Sequence, residues 1–219
     1  CKTRLPNAYG YSPTEDIQVL SPTRKGPSGT VELNRKLQQE LNPPAAGKSE
    51  IKTPLYIYRK GDKVMQTKND YDILWKKTLD DEKTESGAGI FNGDIGIIIG
   101  VNKILRTVTI DFEGRVAVYS DDMLDNLELA YAVTVHKSQG SEFDAVILTI
   151  FGGFDKLYYR NLLYTAVTRA KKLMIIVGSK KRVEFMIDNN RRMLRYTCLK
   201  NMLKELNDNE SEEMQILEL

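Results

Sequence analysis

Ala130-Tyr131-Ala132-Val133-Thr134-Val135-His136-Lys137-Ser138-Gln139-Gly140-Ser141-Glu142-Phe143 decides how this chain is read. Glu128 to Val133 reads as an apolar strand that runs straight into a dense polar cluster. Polar side chains at the carboxyl end of a strand are where open α/β sheets place ligands, and a glycine such as Gly140 lets the backbone approach one closely. The stretch predicts an α/β fold with a site at the mouth of this strand.

Outward from it, Ala145 to Ile150 reads as a second strand, Lys156 to Ala170 as a helix and Leu173 to Val177 as another buried strand, which is parallel α/β wiring. A last helical region carries Leu199, Met202, Leu203 and Leu206 on one stripe, read as core-facing. Toward the amino terminus, Ile17-Gln18-Val19-Leu20 reads as a buried strand. Leu33, Leu37 and Leu41 mark a helix that Pro43 and Pro44 end. Cys1 to Tyr11 lacks a capping signal and reads as the end of an element begun upstream.

From Gly47 to Asn126 the texture changes to short alternating segments: Lys63 to Thr67, Ile95/Ile97/Ile99/Val101, Val108/Ile110/Phe112 and Val116/Val118. Asn92-Gly93 and Glu113-Gly114 supply turns between them, and Asp80 to Gly89 reads as a loop. A small antiparallel barrel is the natural closure. The expected organisation is α/β, with residues 1–46 and 127–219 in a parallel-sheet domain and 47–126 inserted as the barrel.

The 219 residues are 41% hydrophobic and 28% charged, which excludes disorder and collagen-like repeats. No apolar run approaches the ~20 residues that span a bilayer, and the first residues lack the apolar core of a signal peptide, so the chain reads as cytoplasmic with no membrane partner. Cys1 and Cys198 sit in no metal-spaced cluster, and no metal ligand set is expected. The net charge of +2 does not by itself imply nucleic acid. The basic stretch Lys171, Lys172, Lys180, Lys181, Arg182, Arg191, Arg192 and Arg195 and the acidic tail Asp208, Glu210, Glu212 and Glu213 read mostly as solvated faces.

Two phosphate-loop decoys are present. Gly47-Lys48-Ser49 ends like a Walker A loop, but the glycine needed five places upstream is Asn42. Gly87, Gly89 and Gly93 miss the dinucleotide spacing and precede a strand. Two further clusters carry chemistry. Asn161-Leu162-Leu163-Tyr164-Thr165-Ala166-Val167-Thr168-Arg169-Ala170-Lys171 lies on a helix leading into a strand, where Arg169 alone reads as a cap on the helix's negative end. Leu20-Ser21-Pro22-Thr23-Arg24-Lys25-Gly26-Pro27-Ser28-Gly29 follows a strand and opens a helix, a place that attracts anions.

In this order the three clusters resemble motifs IV, V and VI of superfamily 1 helicases, and Thr134 to Phe143 resembles the RecD-type wording of motif V. Phe91-Asn92-Gly93-Asp94-Ile95-Gly96 resembles the family's SH3-like barrel, domain 2B, inserted in the second RecA-like domain, 2A. The match runs from about Asp16 to Arg195.

The resemblance implies a fold of RecA-like parallel sheet plus SH3-like barrel. It also implies the C-terminal motor half of an ATP-dependent helicase moving 5′ to 3′. ATP with Mg²⁺ is then held mainly by an N-terminal RecA-like domain that carries the Walker loops, so this half alone is expected to be inactive. Arg169 takes the role of arginine finger, with Arg24 or Lys25 as its motif IV partner. Gln139, Gly140, Ser141 and Glu142 face the nucleotide, and Thr134, His136 and Lys137 hold single-stranded DNA. A recombination nuclease complex is a further implied partner. The competing reading is a non-catalytic nucleic-acid-binding or docking module. Tyr71 and Trp75 read as core rather than as stacking platforms.

Overall fold

The computed structural model describes residues 1–79, 83–151, 155–190, 198 and 202–203. The opening segment forms a short helix, α1 (Arg4–Tyr9). Gly10 closes it at φ 73, donating its N–H to the Pro6 carbonyl at 2.8 Å. Next come β1 (Ile17–Ser21), buried along its whole length, and α2 (Thr30–Leu41). The chain then leaves for eight strands: β2 (Glu50–Lys52), β3 (Ile57–Arg59), β4 (Lys63–Gln66), β5 (Asp70–Thr78), β6 (Thr84–Ile90), β7 (Ile95–Asn102), β8 (Thr107–Phe112) and β9 (Arg115–Tyr119). A 3-10 turn at Asp121–Asn126 leads into β10 (Leu127–Leu129) and β11 (Ala132–Thr134). The remaining elements are β12 (Phe143–Ile150), α3 (Arg160–Val167), β13 (Ala170–Gly178) and α4 (Lys180–Asp188).

Two sheets carry the fold. A four-stranded parallel sheet runs β11-β1-β12-β13, and a seven-stranded antiparallel sheet runs β10-β4-β7-β8-β9-β5-β6; β2 and β3 pair separately. The antiparallel sheet wraps one core around Tyr58, Ile98, Ile110, Phe112 and Tyr119, all fully buried. The parallel sheet packs Leu20, Val146, Leu148 and Ile150 against Leu162 and Ala166 of α3 and Met186 of α4. The α/β class and the small antiparallel unit stand as the sequence predicts, with Glu113 (φ 53) and Gly114 (φ 88) turning the β8–β9 hairpin.

Several elements differ from the sequence reading, each for a local reason. Of the loop expected over Asp80 to Gly89, Asp80 to Glu82 lie outside the described residues, while β6 begins at Thr84 and pairs with β5 from Thr84↔Thr78 to Ile90↔Asp70. Glu128 to Val133 is not one strand: Leu127–Leu129 pairs with β4 and Ala132–Thr134 with β1, so the segment serves two sheets. The expected helix from Lys156 begins only at Arg160 and ends at Val167, because Arg169 and Ala170 turn into β13. That strand lies at the edge of its sheet and is half-exposed rather than buried. Part of the basic stretch, Lys180 to Arg182, opens α4. Leu199, Leu206, Arg191, Arg192, Arg195 and the acidic tail lie outside the described residues, while Met202 and Leu203 are exposed. Trp75 packs on the antiparallel core as expected, whereas Tyr71 is exposed beside Phe91.

The face that α2 buries is polar: Thr30, Asn34 and Gln38 point inward, while Leu37 and Leu41 are only partly buried. Its partners explain this, because α2 lies over backbone at the seam between the sheets, and buried peptide groups need hydrogen bonds. Asn34 donates to the carbonyls of Leu129 (2.7 Å) and Ala132 (2.8 Å) and accepts from the Ala132 N–H (2.7 Å). The Gln18 amide donates to the Ala130 carbonyl at 3.0 Å and the Tyr131 carbonyl at 3.2 Å.

Fully buried Asp62 is the hub of the seam. Its carboxylate accepts from Gln38 (2.6 Å), Asn42 (2.5 Å), Tyr131 (2.9 Å) and the Arg59 N–H (2.7 Å). Burial pushes the carboxyl above the usual carboxylate range, and the donors offset part of that. One side chain thereby joins α2, the antiparallel sheet and the residue that introduces β11.

Candidate functional site

At the carboxyl edge of the parallel sheet, Ser21 of β1 stands in register with Thr134 of β11. The Val135 N–H donates to the Ser21 carbonyl at 3.1 Å, and the Ser21 hydroxyl donates to the Ser28 carbonyl at 2.8 Å, so the loops after the two strands are tied together. Glu128 is shared by two cations from those loops, Arg24 at 2.6 Å and Lys137 at 2.9 Å. One positive charge is left over in the trio. The Thr134 hydroxyl accepts from the Lys137 N–H at 3.3 Å, and exposed His136 lies 3.3 Å from the Tyr159 hydroxyl. Lys25 is exposed and has no partner among the described residues.

The second half of the loop crosses to the amino edge of the sheet. Ser138 is buried and donates to the Val135 carbonyl at 2.8 Å; Gly140 turns the chain at φ 88; and the Ser141 N–H returns to the Ser138 carbonyl at 3.1 Å. Phe143 then donates to the Arg169 carbonyl at 2.9 Å, bringing the end of α3 beside Ser141. The half-buried Arg169 guanidinium is held on three oxygens: the Ser141 carbonyl (3.0 Å), the Thr165 carbonyl (3.3 Å) and the Thr168 hydroxyl (3.3 Å). The bond to Thr165 is the helix cap that the sequence allows, but the bond to Ser141 is not part of a cap. No carboxylate pairs with Arg169 among the described residues, so oxygen dipoles alone balance its charge. A charge placed this way favours an incoming anion.

Arg24 and Arg169 do not meet. Leu20 is level with Leu148 on β12, and Ala170 is level with Phe143. Arg24 leaves beyond the Leu148 level and Arg169 enters before the Phe143 level, and the five steps along β12 from Phe143 to Leu148 alone span about 17 Å. The structure places Arg24 with Thr134 and Lys137, the group expected to hold nucleic acid, and places Arg169 with Gly140 and Ser141. Glu142 and Gln139 are exposed on the same loop.

A groove of about 700 Å³ separates Gly140–Phe143 from the hairpin turns of the antiparallel sheet, with the Arg115–Asp94 ion pair (3.0 Å) on the far wall. Lys63 lines it, 3% exposed, its ammonium 5.6 Å from the Phe143 ring centroid. Sequence reasoning missed this residue, since a lysine at the start of a strand normally reaches solvent. Burial pushes its amine down to about 8, with Asp16 and Glu15 opposing. A displacement of that size corresponds to on the order of 3 kcal/mol, more than the ~1 kcal/mol that a cation–π contact returns.

Between about pH 8 and the ordinary value of 10.5 the folded chain binds fewer protons than the unfolded one, so this group's contribution to stability improves as pH rises. Lys63→Met is therefore expected to raise the urea midpoint at pH 7, with the advantage shrinking as pH passes from 8 toward 10.5. A midpoint at pH 7 that stays level or falls contradicts the expectation.

Among the described residues no three His, Cys, Asp or Glu side chains converge in a way that could hold a metal ion. The site offers a guanidinium and backbone groups, which suit phosphate oxygens.

Two family matches meet at the seam. The SH3 domain of ATP-dependent RecD-like DNA helicases matches residues 33–112, and the UvrD-like helicase C-terminal domain matches residues 129–177, which contain both Thr134–Phe143 and Arg169. The chain belongs to the RecD-type superfamily 1 helicases. This RecD-type chain is 37% identical over 163 residues to the ATP-dependent RecD2 DNA helicase of Deinococcus radiodurans, covering 74% of the chain and 20% of that protein. It is 30% identical over 191 residues to the RecBCD enzyme subunit RecD of Mycolicibacterium smegmatis, covering 87% of the chain and 30% of that protein. The RecD-type chain thus spans 20% to 30% of the length of these relatives. Its fold is shared with a Pif1 helicase from Bacteroides solved with ADP-AlF3 and ssDNA, at TM-score 0.50 and 17% identity, over 94% of the chain and 48% of that structure.

Proposed function

We propose that this C-terminal region works in a longer ATP-dependent 5′ to 3′ DNA helicase, presenting Arg169 to a nucleotide held on a preceding RecA-like domain and gripping single-stranded DNA at the opposite edge. The observation that carries the reading is Arg169 itself, oriented on Ser141 and, among the described residues, without a carboxylate partner. ATP hydrolysis supplies the free energy; the tasks left to this chain are to orient, attract and move. Arg169 draws charge that develops on the transferred phosphoryl group, and its bond to Ser141 keeps Gly140–Glu142 at the same place. Thr134, His136, Lys137 and, by its position, Arg24 take nucleic-acid phosphates at the far edge.

The loop from Thr134 to Phe143 touches both edges, so nucleotide closure at one end is expected to shift the grip at the other. On this reading residues 1–46 and those from 127 onward form the motor domain, and 47–126 form the inserted barrel, to which β10 is lent. The name of the mycobacterial relative places that protein in a RecBCD complex; whether this protein joins a nuclease is tested by co-purification.

The deciding experiment is DNA-stimulated ATP hydrolysis and unwinding by the full-length protein on duplexes with either a 5′ or a 3′ tail. Unwinding from 5′ tails alone is expected. Unwinding from 3′ tails alone removes the RecD-type polarity, and DNA binding without hydrolysis supports the non-catalytic module instead.

A further inference from the structure

Next to Arg24, and used by neither edge described above, a groove of about 310 Å³ runs between α2 and the β2–β3 turn. Val31 and Arg35 line one side and Thr53 to Tyr56 the other. The turn is rigid. The Thr53 N–H donates to the Tyr56 carbonyl at 2.9 Å, and the Thr53 hydroxyl donates to that carbonyl and accepts from the Tyr56 N–H, both at 3.1 Å. Pro54 removes further backbone freedom. Yet the turn holds Leu55 74% exposed, away from the core that its neighbours join.

The Tyr56 ring is half-buried, tilted against Tyr58 with centroids 6.1 Å apart. Its hydroxyl feels burial first, then Glu128 and Arg24, which places the ring between the groove and the Arg24–Glu128–Lys137 trio. Cations outnumber anions around this path: Arg24, Lys137 and Arg35 stand against Glu128 and Glu32.

We propose that single-stranded DNA held at Thr134, Lys137 and Arg24 continues onto the β2–β3 turn, where one base rests on Tyr56 and Leu55. This rests on the nucleic-acid reading of the carboxyl edge given above. A single strand presents phosphates that seek cations and bases that seek flat apolar surface, and both lie here in sequence along one path. A turn already fixed in place loses little entropy when it is contacted.

The test is fluorescence anisotropy of the full-length protein with labelled oligothymidylates, including a series in which one abasic site is moved along the strand. Tyr56→Ala is expected to weaken binding about tenfold with the salt dependence unchanged, and Tyr56→Phe to bind like wild type. Wild type should lose affinity when the abasic site occupies one particular position, and Tyr56→Ala should not register that position. Leu55→Ser, at an exposed side chain, guards against a folding defect and should weaken binding in the same direction. If Lys137→Ala weakens binding while Tyr56→Ala and Leu55→Ser do not, the turn is not part of the path and the inference fails alone. If Lys137→Ala and Arg24→Ala both bind like wild type, the carboxyl edge does not hold DNA, and both readings fail together.

Discussion

Arg169→Ala in the full-length protein is expected to lower ATP turnover at saturating nucleotide and DNA by about 10³ to 10⁵-fold, the range known for arginine fingers in phosphoryl transfer. The loss should fall on kcat more than on KM, because the guanidinium answers charge that grows during the reaction rather than charge present at binding. Arg169→Lys is expected to recover little. One ammonium cannot reproduce a planar fork resting on the Ser141 carbonyl, the Thr165 carbonyl and the Thr168 hydroxyl at once. The stability cost should be small, about 0.5–1 kcal/mol for a lost cap, so a thermal melt separates a folding defect from a catalytic one. Turnover near the wild-type rate would remove Arg169 from the chemistry.

Asp62→Ala is expected to destabilise the fold by about 1–3 kcal/mol for each donor left unpaired, read as a lower urea midpoint. The reason is the number of donors left behind: Gln38, Asn42, Tyr131 and the Arg59 N–H all converge on this carboxylate inside the seam. Orphaned buried donors each lose water without replacement. Asp62→Asn should be milder, since its amide oxygen still accepts from part of the set. An alanine variant as stable as wild type would show that solvent reaches the seam.

Much of the fold was legible because its signals are local. Ile17–Leu20 and Ala145–Ile150 announce strands by composition, and Glu113-Gly114 adopts the left-handed turn such pairs favour. Misread parts depend on partners distant in sequence. Thr84 to Gly89 has almost no apolar residue, yet it is a strand because β5 lends it a ladder; Gly87 is required there, since a Cβ would stand 2.4 Å from the Trp75 ring. The helix α2 looked like a leucine stripe, and its buried face turned out to be Asn34 and Gln38, whose purpose appears only once the seam backbone is in place. At the site, the grouping of Ser141 with Arg169 follows the motif order. The placement of Arg24 does not, because no linear pattern says at which end of a sheet a loop emerges.

The seam also constrains how motion passes through the molecule. Ala130 donates its N–H to the Lys63 carbonyl in the antiparallel sheet, and the adjacent Tyr131 carbonyl takes the Val19 N–H in the parallel sheet. Two consecutive residues are thus bolted to different halves, with Thr134 three positions farther on. The two bonds leave no free residue between them, so a push on the small barrel is expected to reach the edge that carries Thr134 with both sheets turning together, as torque rather than as local flexing.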